Sequence, residues 1–150
     1  MKNSKVNVIG EEPAEAQVDL IYDYYDIDFE DYKSVSAAQN EAADILKVSY
    51  AKLKKAVMRG QIEAAMEGGD LFITVHLTGR YDGIPEKKMV LKPYSGNAAV
   101  EMEKIKGEGK ASSKMFALFG LLSGLGAAKI QGFYGPDLKV VEVLNSVFLL

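Results

Sequence analysis

At 150 residues and 16.4 kDa the chain has one domain's length, and 48% apolar residues suffice for a core of its own. A formal net charge of -3, from 18 basic and 21 acidic residues, argues against a general polyanion binder. With no cysteine and one histidine, His76, the composition excludes disulfides, thiolate catalysis, cysteine-ligated zinc or iron–sulfur centres and histidine-rich metal sites. The opening residues lack the apolar centre and small-residue cleavage site of a secretory signal, so the expected location is cytoplasmic.

Charge is distributed unevenly. From Val6 to Tyr32 there are nine acids and no base, whereas Lys47 to Arg59 holds five bases and no acid, so the two stretches attract each other. Tyr25, Ile27 and Phe29 alternate with Asp26, Asp28 and Glu30 at a strand's period, but such dense like charge opposes independent folding. Residues 1–32 are therefore expected to form an acidic arm, disordered or pinned as an edge strand and dispensable for folding, ahead of a single domain at 33–150. A helix is expected from about Ser36 to Arg59, ended by Gly60. Leu71, Ile73, Val75 and Leu77 alternate with Phe72, Thr74, His76 and Thr78 as in a strand, with Gly68-Gly69 as the turn before it. Lys87 to Lys92 returns as a second strand, stopped by Pro93, so an antiparallel β-hairpin is expected at about 70–92. Ser95 caps a helix from Gly96 to about Lys106, and residues 107–111 read as a linker. Two short buried helices around the turn Ser123-Gly124-Leu125-Gly126 follow, and a last apolar helix opens at Pro136. The expected class is α+β, mainly helical.

Candidate chemistry is sparse. Asp26, Asp28 and Glu30 have the spacing that opens a calcium loop, but Asp31 stands where glycine is needed and Ala37 where the bidentate glutamate is needed. Gly107-Glu108-Gly109-Lys110 lacks both the preceding strand and the hydroxyl residue of a phosphate loop, because Ala111 follows the lysine. Gly120, Gly124 and Gly126 do not follow a strand, which leaves close helix packing rather than dinucleotide binding. His76 has neither a second histidine nor a serine motif beside it. No enzyme and no cofactor are expected. The uncharged stretch from Met115 to Ala128 is shorter than the roughly 20 residues that span a bilayer, so no membrane partner is expected either.

Residues 41–73 carry an alternative. Ala42, Ala43, Ile45, Leu46, Val48, Ser49 and Leu53 follow the short helix-turn-helix of excisionase-type regulators, with Lys52, Lys54, Lys55 and Arg59 on or beside a recognition helix and Gly68-Gly69 in a wing. The block of nine acids before it, and Asp44 and Glu63 within it, argue against a nucleic-acid partner. A structural virion or other interaction protein is the remaining alternative.

The order of elements in the second half carries a family resemblance. A hairpin from Leu71 to Lys92, a helix opening Tyr94-Ser95-Gly96, a helix closing on Leu122-Ser123-Gly124-Leu125-Gly126, and Gly135-Pro136-Asp137-Leu138 leading into a final apolar helix resemble the small tail assembly chaperones of long-tailed bacteriophages, over about Ala51 to Leu150. That resemblance implies a protein that binds the apolar, helix-forming tape measure protein and keeps it soluble until tail tube subunits polymerise. One intramolecular face about 100° wide cannot cover a last helix that is apolar around most of its circumference. Met115, Phe116, Phe119, Leu122, Leu125, Leu138, Val141, Leu144 and Phe148 are therefore the expected partner-binding residues, and self-association of the isolated chain is expected through the same surface.

Overall fold

The computed structural model describes residues 9–25, 41–103 and 111–148. The calcium-like spacing at Asp26 to Glu30, the phosphate-loop-like segment at 107–110, and Ile27 and Phe29 of the expected edge strand lie outside them.

Over residues 11–24 the first element corrects the expectation of a disordered or strand-forming arm. Glu11–Tyr24 is a helix, α1, and Ala14, Val18, Ile21 and Tyr22 recur on one face at helical spacing and are buried. Glu12, Asp19 and Asp23 fall on the exposed side, while Glu11 and Glu12 stand at the positive end of the helix dipole. Pro13 lies in the first turn, where an N–H is not needed. The five acids of α1 do not oppose folding, because Glu12, Asp19 and Asp23 lie on its exposed side and Glu11 and Glu15 approach Lys54. Tyr25 follows as its cap and serves no described strand: its hydroxyl accepts from Tyr94 N at 3.0 Å, and its ring lies 5.2 Å from that of Phe148.

Glu41–Met58 forms α2, an unbroken helix that buries Leu53, Ala56 and Val57. It ends on Gly60, whose φ of 76° lets Gly60 N donate to Val57 O and Gln61 N to Ala56 O at 2.9 Å. Continuity across Val48 and Ser49 removes the helix-turn-helix considered for residues 41–73.

The expected hairpin belongs to a three-stranded antiparallel sheet in the order β1 (Ile62–Glu67), β2 (Asp70–His76) and β3 (Lys88–Leu91). Gly68 and Gly69, with φ of 58° and 86°, make the two-residue turn that pairs Glu67 with Asp70 and sets Ile62 opposite Val75. Ile73 pairs in turn with Leu91. Ile62, Ala64, Leu71, Ile73, Val75, Met89 and Leu91 form the buried face. On the outer edge of β1, Ala64 N donates to the Gln17 Oε1 of α1 at 2.9 Å.

Four further helices follow: α3 (Gly96–Glu103), α4 (Ala111–Ser123), α5 (Ala127–Gln131) and α6 (Gly135–Phe148). Ser95 caps α3 as expected, its Oγ accepting from Ala98 N at 3.3 Å. The α4 helix packs on β3, α5 and α6, while α2 packs against both α1 and α6. The core runs from Val18 and Leu53 through the sheet to Phe119 and Leu144. Phe148 stacks on Phe119 at a ring separation of 5.7 Å.

Candidate partner-binding groove

The expected partner-binding residues are mostly core. Met115, Phe119, Leu122, Val141, Leu144 and Phe148 are buried, and Phe116, Leu125 and Leu138 are half-buried against them. The helix from Gly135 to Phe148 is covered on more than one side, by α2 and by α4, with Tyr25 and Tyr94 closing over Phe148. Two covering faces account for the apolar circumference that a single face could not.

What stays open is the seam between α2 and α6. Ser49 Oγ and Ser146 Oγ share a hydrogen bond at 2.9 Å, while past the other end of α2 Gln61 O accepts from His76 N, and Thr78 N, two residues on, donates to Asp137 at the start of α6, so the two helices run antiparallel. Between them lies a groove of about 900 Å³. Ala56, Val140 and Val143 contribute to its lining, and Ile45 and Val48 stand in it at 44% and 52% exposure. From Ile45 to Arg59 it follows α2 for about 21 Å at a rise of 1.5 Å per residue.

The rim is cationic. Lys52 and Lys55 on α2, Arg59 just past its end and Lys139 on α6 are exposed along it, against one acid, Glu142. None of the four bases makes an ion pair with another described residue. Lys54 leaves the group proposed for a recognition helix: it turns to α1, 3.3 Å from Glu15 and 3.7 Å from Glu11. On that same side Tyr50 donates to Asp19 at 2.7 Å, and its phenol is held well above its ordinary range, first by desolvation and then by this bond.

The end of the groove at Gly135 is fixed by a buried carboxylate. Asp137, 2% exposed in the first turn of α6, accepts from Thr78 N (2.7 Å), Thr78 Oγ1 (3.1 Å), Gly79 N (2.8 Å) and Tyr81 OH (2.8 Å). Four donors satisfy a charge that burial would otherwise make costly. They tie the β2–β3 loop to the helix that forms one wall. Burial and then the bond to Asp137 push the Tyr81 phenol up to about 12. An acid in the first helical turn after Gly-Pro was visible as a helix start, but nothing local showed that it reaches a loop some sixty residues earlier in the chain.

His76 is half-buried on the outer face of β2, 3.3 Å from Glu63, with no third partner to form a catalytic set. Among the described residues no group of three or more His, Cys, Asp or Glu side chains converges to hold a metal, and no helix is long and apolar enough to cross a membrane. Comparison with protein-family models, characterised proteins and solved structures finds no match to this chain.

Proposed function

We propose that this protein is a binding protein rather than a catalyst, and that the groove between α2 and α6 holds a helical segment of a partner protein. The exposure of Ile45 and Val48 beside an apolar lining carries the reading, because side chains left open in a concave seam between two helices suit a helix-in-groove contact. The length of the seam, about 21 Å, accommodates roughly four turns of a docked helix. With the resemblance to tail assembly chaperones, this makes the protein a phage assembly factor that keeps an apolar helical client, such as a tape measure protein, soluble in the host cytoplasm.

Co-expression with a phage tape measure protein tests this. The soluble client should rise several-fold with the wild-type chain and fall back with Val48→Glu, a surface change that leaves the fold intact. A soluble yield indifferent to Val48 would remove the groove from the client contact, and a yield indifferent to the whole protein would overturn the chaperone reading.

A further inference from the structure

The groove is not uniform along its length, and its polarity narrows what it accepts. Because α2 and α6 run antiparallel, one end combines the first half of α2 with the end of α6, where Ile45, Val48 and the Ser49–Ser146 pair lie; Val143, one turn before Ser146, and Lys52, one turn after Ser49, fall at the middle. From there to the other end the lining carries Lys52, Lys55, Arg59 and Lys139 with Ala56 and Val140, and a single acid, Glu142, one turn on from Lys139. These four bases lack ion-pair partners among the described residues, in a chain whose net charge is -3. A fully apolar helix would leave all four facing it unmatched, and a uniformly acidic one would put carboxylates over Ile45 and Val48.

Resting on the reading of the groove as a helix-binding site, we infer that its occupant is a bipolar segment of a partner protein, apolar at one end and acidic at the other. Its apolar turns lie over Ile45, Val48 and Val143. Its Asp and Glu side chains lie over Lys52, Lys55, Arg59 and Lys139. Charge complementarity thereby sets the direction in which the partner lies, since the reversed helix places acids on an apolar floor.

Synthetic helical peptides of about 16 residues test this by fluorescence anisotropy against the full-length protein. They share one leucine-rich end and differ at the other, which carries glutamates, glutamines or lysines. The glutamate-ended peptide should bind about tenfold tighter than the glutamine-ended one, and the lysine-ended one weakest, with an advantage that shrinks as salt rises. Lys52→Glu with Lys55→Glu, or the milder Lys55→Gln with Lys139→Gln, should erase the advantage, while Val48→Glu weakens every peptide; circular dichroism verifies that each variant is folded. Equal binding of glutamate- and glutamine-ended peptides, both lost with Val48→Glu, would overturn the charge inference and leave the groove reading standing. Affinities untouched by Val48→Glu would overturn the groove reading itself. Three other results would also overturn the partner assignment: equal competition by duplex DNA, self-association abolished by Val48→Glu, or peptide binding only after Asp26, Asp28, Glu30 and Asp31 are neutralised. The first gives the rim to polyanions, the second gives the groove to another copy, and the third gives it to the chain's own acids.

Discussion

Asp137 is where a single side chain has most leverage. Its carboxylate satisfies two backbone N–H groups and two hydroxyls of the β2–β3 loop, so truncation leaves the amides of Thr78 and Gly79 without their acceptor. Asp137→Ala should cost about 3 kcal/mol or more and lower the midpoint of urea unfolding. It should also loosen residues 78–81, which amide hydrogen exchange would register. A destabilisation below about 0.5 kcal/mol, the range of ordinary surface substitutions, would show that the loop holds without it. Gly120 is constrained differently. A Cβ there would overlap backbone atoms of Gly126 and Ala127, which cannot swing aside as a flexible side chain would. Gly120→Ala should therefore destabilise by about 1–3 kcal/mol through overpacking, although alanine is the better helix former. A calorimetric melt at or above that of the wild type would show that α5 can shift freely.

At the scale of elements, α1 changes what the acidic stretch means. Val18, Ile21 and Tyr22 each contribute about 1.5–3 kcal/mol by burial, a sum comparable with the roughly 5–15 kcal/mol that separates a folded domain from its unfolded chain. A chain beginning at residue 26 should lose cooperative thermal unfolding, and retention of a sharp transition would return the stretch to a dispensable arm. The positions of Ala14, Val18, Ile21 and Tyr22 were legible in the sequence, but the density of acids outweighed their spacing. Strand β2 was plain because Leu71, Ile73 and Val75 are β-formers in strict alternation; β1 was hidden because Glu63, Ala64, Ala65, Met66 and Glu67 favour helices and become a strand only through pairing with β2. The candidate site divided in the same way. Lys52, Lys55 and Arg59 stood out as a basic run, whereas the openness of Ile45 and Val48 and the arrival of Lys139 depend on how α2 meets α6, which no local pattern encodes.

Over the whole molecule, the tyrosines set the response to alkali. Tyr22 and Tyr25 are held above the ordinary phenol value mainly by burial, as are Tyr50 and Tyr81, which also donate to Asp19 and Asp137. Above pH about 10 the unfolded chain releases these protons while the folded one keeps them, so the unfolded state binds fewer protons and stability falls as pH rises. The loss should begin near pH 10 and deepen through about 12, where Tyr81 ionises in the fold. Phenolate absorbance should then rise together with loss of helical circular dichroism, and Tyr81→Phe should blunt the alkaline loss attributable to that phenol. Simple exposed-tyrosine titration with the fold intact would contradict this account.

The bond from Ala64 N to Gln17 has an implication for how the chain behaves in a crowded cell. An outermost strand offers a ladder of free amides and carbonyls, and a neighbouring chain can extend the sheet by lining up along it. Gln17 occupies a rung of that ladder with a side-chain carboxamide, and the helix that carries it lies against β1. The acidic helix thus works as a stopper on sheet growth, and because α1 also supplies part of the core, losing it both opens the β1 edge to another chain and loosens the fold that holds that edge in place.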